Sequence, residues 1–110
     1  MKKCFLVLSI VFALAIGVPQ VFAQATTQPG TITFYGTGWS ADQASVKTTA
    51  PFVANGCPST DAYLTNPSDP GNHAYQAALL AAFLAGKQVT LTVSGCYIGR
   101  PQIIGVTVYP

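Results

Sequence analysis

The sequence predicts an α+β fold: a small curved antiparallel sheet or OB-like barrel, with one helix against it and one disulfide. Three observations predict it. Short runs of alternating apolar and polar residues, at 31–35, 44–49, 62–64, 88–96 and 102–109, are separated by Gly and Pro and read as strands. A single stretch, 70–85, carries apolar residues at helical spacing. Two cysteines, Cys57 and Cys96, lie in a body headed by an export leader.

The leader is "MKKCFLVLSIVFALAIGVPQVFA". Lys2 and Lys3 precede an apolar run from Phe5 to Val18, and Val21-Phe22-Ala23 offers a small-residue cleavage site. The run falls short of the ~20 residues that span a bilayer, which disfavours a membrane anchor. Residues 1–23 therefore read as a secretory signal peptide, and residues 24–110 as one small domain. Cys4 stands ahead of the apolar run and leaves with it.

The domain's charges balance. Lys47, Lys87 and Arg100 face Asp42, Asp61 and Asp69, with no glutamate in the chain. So even a balance argues against nucleic acid, whose binding rests on many cation–phosphate contacts, and against an anionic membrane surface. Near-zero net charge also favours self-association. In an oxidising compartment Cys57 and Cys96 read as a disulfide, against the alternatives of two free thiols or half a zinc site. The closed loop of ~40 residues would stabilise the fold by about 4 kcal/mol.

Element by element, "QATTQPG" (24–30) reads as a disordered lead. "TITFY" (31–35) reads as a half-buried strand with Ile32 and Phe34 on one face. Gly36 and Gly38 turn the chain before Trp39. The strand at 44–49 stops before Pro51, and 57–73 is a loop with a short strand at 62–64. Ser68 or Asp69 as N-cap and Pro70 as first residue open the helix, which runs to Ala85 and ends at Gly86. "QVTLTVSGC" follows, with Val89, Leu91 and Val93 on one face and a turn or bulge at Ser94-Gly95. "QIIGVTVY" closes the chain, with Ile104, Val106 and Val108 on one face, antiparallel to the strand before it.

From Tyr75 onward, the Leu-Leu-Ala-Ala helix (79–82), Gly86-Lys87, Val89, Gly95-Cys96, Pro101, Ile103 and Val106 resemble a group of small, exported, largely uncharacterised bacterial proteins. More loosely, the order of elements is similar to that of the OB-fold binding subunits of pertussis-like and subtilase-like toxins. That likeness implies an oligomeric binding module. It carries no sugar-binding residue and no catalytic role onto this chain.

The candidates for chemistry are few. His73 is the one side chain able to act as a neutral-pH base, with Asp69 four residues before it as an orienting partner. Asp61 and Asp69 form an unspecific carboxylate pair. Gly36-Thr37-Gly38 is followed by no helix and is no phosphate loop. No metal or cofactor is expected. Binding is the better expectation: Tyr35, Trp39, Tyr63 and Tyr97 lie in or beside loops rich in hydroxyl and amide groups, and Arg100 offers a cation. Trp39, after two turn glycines, is the strongest of these.

The helix has almost no polar face. Tyr75, Ala78, Leu79, Ala82 and Phe83 form one stripe, while Ala77, Leu80, Ala81 and Leu84 form a second that a small sheet cannot also cover. Cover by the 57–72 loop, by a partner protein or by a second copy are the alternatives, and the charge balance favours the second copy. The expectation is thus a secreted or periplasmic, non-enzymatic, self-associating module binding a glycan or a protein. A small structural or inhibitory protein that docks a partner is the alternative, and a small hydrolase ranks below both.

Overall fold

The computed structural model describes residues 23–110, so the signal peptide expected at 1–23 lies outside the described residues apart from Ala23. The strands are β1 (Ala25–Thr26), β2 (Gly30–Thr37), β3 (Ala44–Thr48), β4 (Tyr63–Leu64), β5 (Gln88–Tyr97) and β6 (Arg100–Val108), with helix α1 (Asn72–Ala85) between β4 and β5. The pairing runs β1-β5-β2-β3-β4-β6, and β6 pairs back with β5. Strands β2, β3, β4, β6 and β5 therefore close a ring, with β1 laid along the far part of β5. Every pairing is antiparallel except β4 with β6, where Leu64 meets Gln102. A three-strand meander, a helix and a closing hairpin in one barrel make this OB-like.

The barrel interior holds Ile32, Val46, Tyr63, Val89, Leu91, Val93 and Ile103, plugged by Leu79 and Ala82 of α1. Leu79 is fully buried, and truncation to alanine there costs about 2–5 kcal/mol by transfer and cavity terms together. Tyr63 is also inside. Its ring stacks on Phe52 at 4.4 Å, and its hydroxyl accepts the Val53 N–H at 2.8 Å.

Two strands depart from plain alternation through bulges. On β2 the register slips between Ile32 and Phe34, leaving Thr33 unpaired. One extra residue reverses the faces of all that follow. Ile32 stays in the core, but Phe34 turns outward and Tyr35 turns in, to stack on Phe83 with ring centroids 6.2 Å apart. On β6 the pairing passes from Gly105 to Ile103, so Ile104 is the extra residue. The inward residues are Ile103 and Val106 rather than Ile104 and Val106, and Val108 is exposed. The slip expected at Ser94-Gly95 is present, with Gly95 at φ 67.

The lead is ordered rather than loose. Ala25 and Thr26 pair with Val93 and Thr92, and Thr27 is buried. The Thr27 N–H donates to the Leu91 carbonyl at 2.9 Å, and its hydroxyl accepts the Leu91 N–H at 3.0 Å. A side chain thus stands in for a strand residue.

The helix also begins later than Ser68 or Asp69 would place it. Its N-cap is Gly71, with no side-chain cap bond. Asp69 instead accepts the Gly71 N–H at 2.8 Å and, through its carbonyl, the Asn72 N–H at 3.0 Å. It builds the turn that precedes the helix rather than the cap itself. The far end is as expected: Gly86 is left-handed at φ 66, and the N–H groups of Gly86 and Lys87 reach back to Phe83 and Ala82.

Cys57 and Cys96 form a disulfide with their Cα atoms 5.7 Å apart. Among the described residues, no helix is long and apolar enough to cross a membrane.

Candidate functional site

The bulge at Thr33 fixes the outer face of the barrel. Directly paired residues share a face, so the registers Phe34↔Lys47, Gly36↔Ser45 and Ser45↔Leu64 gather Phe34, Gly36, Ser45, Lys47 and Leu64 on the outside of β2, β3 and β4. Together with Gln43, Asp61, Ala62 and Arg100, and with Trp39 and Ile98 on its rims, most of these residues line a cleft of about 410 Å³.

Each wall has an identifiable cause. Trp39 sits in the β2–β3 connection, which turns through Gly38, Trp39 and Ser40 at φ 113, 60 and 66. The connection is held at its neck by the Gly38 N–H on the Gln43 carbonyl, 3.3 Å. The indole is 65% exposed. Opposite it, Ile98 and Gly99 make the two-residue turn between β5 and β6 at φ 50 and 75. Two positive values mark a type I′ turn, which prefers Asn-Gly because a β-branched residue is strained there. The chain meets that preference at Asn55-Gly56, φ 49 and 82, where the Cys57 N–H closes the turn on the Ala54 carbonyl at 2.9 Å. At the cleft it does not, and Ile98 is 60% exposed with no core contact to justify the strain.

The polar groups divide by what holds them. Arg100 grips Asp61 through two bonds, Nε to Oδ1 at 2.7 Å and Nη2 to Oδ2 at 2.9 Å. The guanidinium holds the Asp61 carboxyl below the usual carboxylate range. Lys47 lies with its ammonium 5.1 Å above the centre of the Phe34 ring. Gln43 is 5% exposed, and its Oε1 is buried with no hydrogen-bond partner.

The cleft is braced from both sides. On one, Asp42 accepts Gln76 Nε2 at 2.9 Å and pairs with His73, while its carbonyl accepts Asn72 Nδ2 at 2.8 Å, so the Trp39 connection is fastened to the start of α1. The Gln76 bond first and His73 second hold the Asp42 carboxyl below its ordinary range. On the other, the Cys57–Cys96 bridge and the Ser59 N–H on the Gly99 carbonyl, 2.9 Å, fasten the segment carrying Asp61 to the Ile98 turn.

Of the residues expected to bind, the cleft brings together Trp39 and Arg100. Tyr35 points to the helix side, its hydroxyl 3.4 Å from the Gln76 carbonyl. Tyr63 is 1% exposed and has no surface to offer a ligand. Tyr97 is half-buried beside the Ile98 turn and does not line the cleft. His73 is partnered by Asp42 rather than Asp69, and Asp61 is committed to Arg100 rather than paired with Asp69. Phe34, Gln43, Lys47 and Ile98 were not legible as site residues. The one sequence signal for them was Ile-Gly standing where a hairpin turn asks for Asn-Gly.

On the helix, Ala77, Leu80, Ala81 and Leu84 are all exposed, Leu80 at 42% and Leu84 at 75%, so the 57–72 loop does not cover them. Phe83 is also partly exposed, although its ring meets Tyr35. Among the described residues, no three His, Cys, Asp or Glu side chains gather in a way that would hold a metal.

No protein-family model matches the chain, and no curated protein matches its sequence.

Proposed function

We propose that the protein is a secreted or periplasmic binding module, without catalytic activity of its own, that holds a glycan in the Trp39–Ile98 cleft. The observation that carries this reading is the position of the cleft. It lies on the outer face of the second and third barrel strands, between the first and last hairpin connections, where OB-type barrels take oligosaccharides and oligonucleotides. The charge balance decides between those two. Arg100 is already paired and Lys47 is the remaining cation of the cleft, which is too little for a phosphate backbone. An exposed indole ringed by amide, hydroxyl and charged groups suits the apolar face and hydroxyl edge of a sugar ring. The disulfide and the leader-like first residues support an oxidising destination. Glycan-array screening of the oxidised protein tests the reading. Binding to at least one glycan that Trp39→Ala weakens roughly tenfold or more is expected, and an array without Trp39-dependent binding overturns it.

A second observation favours self-association. The exposed Ala77, Leu80, Ala81 and Leu84 face has no cover among the described residues, and a body of near-zero charge does not repel its copy. We read this face as the contact between two or more copies. Sedimentation should give a mass above the monomer for the wild type and a monomer for Leu84→Lys.

A further inference from the structure

We infer that Gln43 is the residue through which the cleft reads its ligand, by taking a hydroxyl of the bound molecule onto its buried carboxamide. The inference rests on the reading of the cleft as a glycan site, and it names the group that does the recognising.

Buried polar atoms without a partner are few in native folds, and each one needs a reason. Gln43 Oε1 is the one buried side-chain polar atom among the described residues with no partner, and it belongs to a cleft-lining residue. The polar groups beside it along the chain are already partnered. The Gln43 carbonyl is taken by the Gly38 N–H, and the next residue, Ala44, exchanges bonds with Thr65: N–H to Oγ1 at 2.8 Å, and carbonyl from the Thr65 N–H at 3.0 Å. On the other side Asp42 is fastened to Asn72, Gln76 and His73. The Gln43 backbone is thus fixed on both sides, and its side chain is packed to 5% exposure at the cleft.

The remaining partner is a group that enters the cleft. A hydroxyl fits because it donates and accepts, and so satisfies a carboxamide in either orientation. The cleft offers an anion little charge, because its arginine already holds Asp61 in two bonds. Trp39 supplies a stacking face on the rim, so a ring that carries a hydroxyl on its edge engages both residues together.

The test is a two-dimensional NMR titration of the oxidised full chain with methyl hexopyranosides of the gluco, galacto and manno series and their monodeoxy analogues. The Trp39 indole N–H and the Gln43 side-chain N–H signals are followed, beside heat denaturation of the wild type and Gln43→Met. We expect at least one hexoside to shift both signals. One of its deoxy analogues should bind at least tenfold more weakly. Gln43→Met should bind the parent hexoside at least tenfold more weakly, lose the discrimination, and melt no lower than the wild type, because it removes an unsatisfied polar atom. A hexoside that shifts Trp39 alone, with every deoxy analogue bound equally, overturns the role of Gln43 and leaves the glycan reading standing. The absence of any Trp39 shift overturns both. A melting temperature several degrees lower in Gln43→Met makes the carboxamide a structural group and overturns the inference. The wild-type deoxy series decides the question without any substitution.

Discussion

Trp39 folds back over Gly36: a β-carbon on Gly36 would stand 3.0 Å from Cη2 of the indole and 3.1 Å from the Phe34 ring. The bare glycine lets two aromatic side chains converge on one spot of the barrel wall. Both obstacles are the ends of side chains rather than backbone, so Gly36→Ala should fold and push the rings aside. The expected result is a changed Trp39 fluorescence maximum and weaker glycan binding, with a melting temperature close to wild type. Trp39→Ala should weaken binding roughly tenfold or more, the scale of one lost stacking contact, ~1–2 kcal/mol.

Ile98 is the place where turn stability and binding should separate. A β-branched residue in the left-handed region costs about 1–2 kcal/mol, whereas Asn is suited to the first position of a type I′ turn. Ile98→Asn should therefore raise the melting temperature by several degrees, since 1 kcal/mol moves a domain of this size by ~4–8 °C. It should weaken ligand binding at the same time. A variant that is both less stable and unaltered in binding would show that the strain is not tied to the cleft.

Much of the barrel was legible in the sequence because strand pattern and turn residues agree. The strands expected at 31–35, 44–49 and 88–96, the Gly86 stop and the cysteine pair all lie where β-forming runs, turn residues and an even cysteine count put them, the second strand ending one residue early at Thr48. What hid the site was a parity error. Thr33 and Ile104 each add one residue to a strand, and no alternation rule marks a bulge in advance. With Phe34 assigned inward, its neighbours Lys47 and Ser45 had no reason to be seen beside Trp39. The helix start misled for another reason: Asp69 serves a turn with the same chemistry that serves a cap.

Acid should loosen the Asp42 clasp on α1 and the Asp61–Arg100 ion pair. Asp42 and Asp61 have native values below the ordinary carboxylate range, so unfolding raises their affinity for protons. Their stabilisation is complete above the unfolded value of about 4 and is lost as the pH falls through the lower native values. The urea midpoint should drop between pH 5 and pH 3. Asp42→Asn with Asp61→Asn should lower the midpoint at pH 6 and reduce that drop.

Loss of the disulfide should destabilise the fold by about 4 kcal/mol, the chain-entropy value for a closed loop of this length. Paired Cys57→Ser and Cys96→Ser substitutions, measured by chemical denaturation, check the figure. The loss should be accompanied by faster hydrogen exchange at Ser59 and Gly99, whose bond lies beside the bridge.

The bridge spans 39 residues, yet it joins the two strips of chain that frame one side of the cleft. A thiol form would leave Asp61 and the Ile98 turn connected by a single backbone contact and an ion pair that water can compete for. The shape of this side of the cleft is thus set by a covalent bond that forms after the chain is made, and reduction would slacken it.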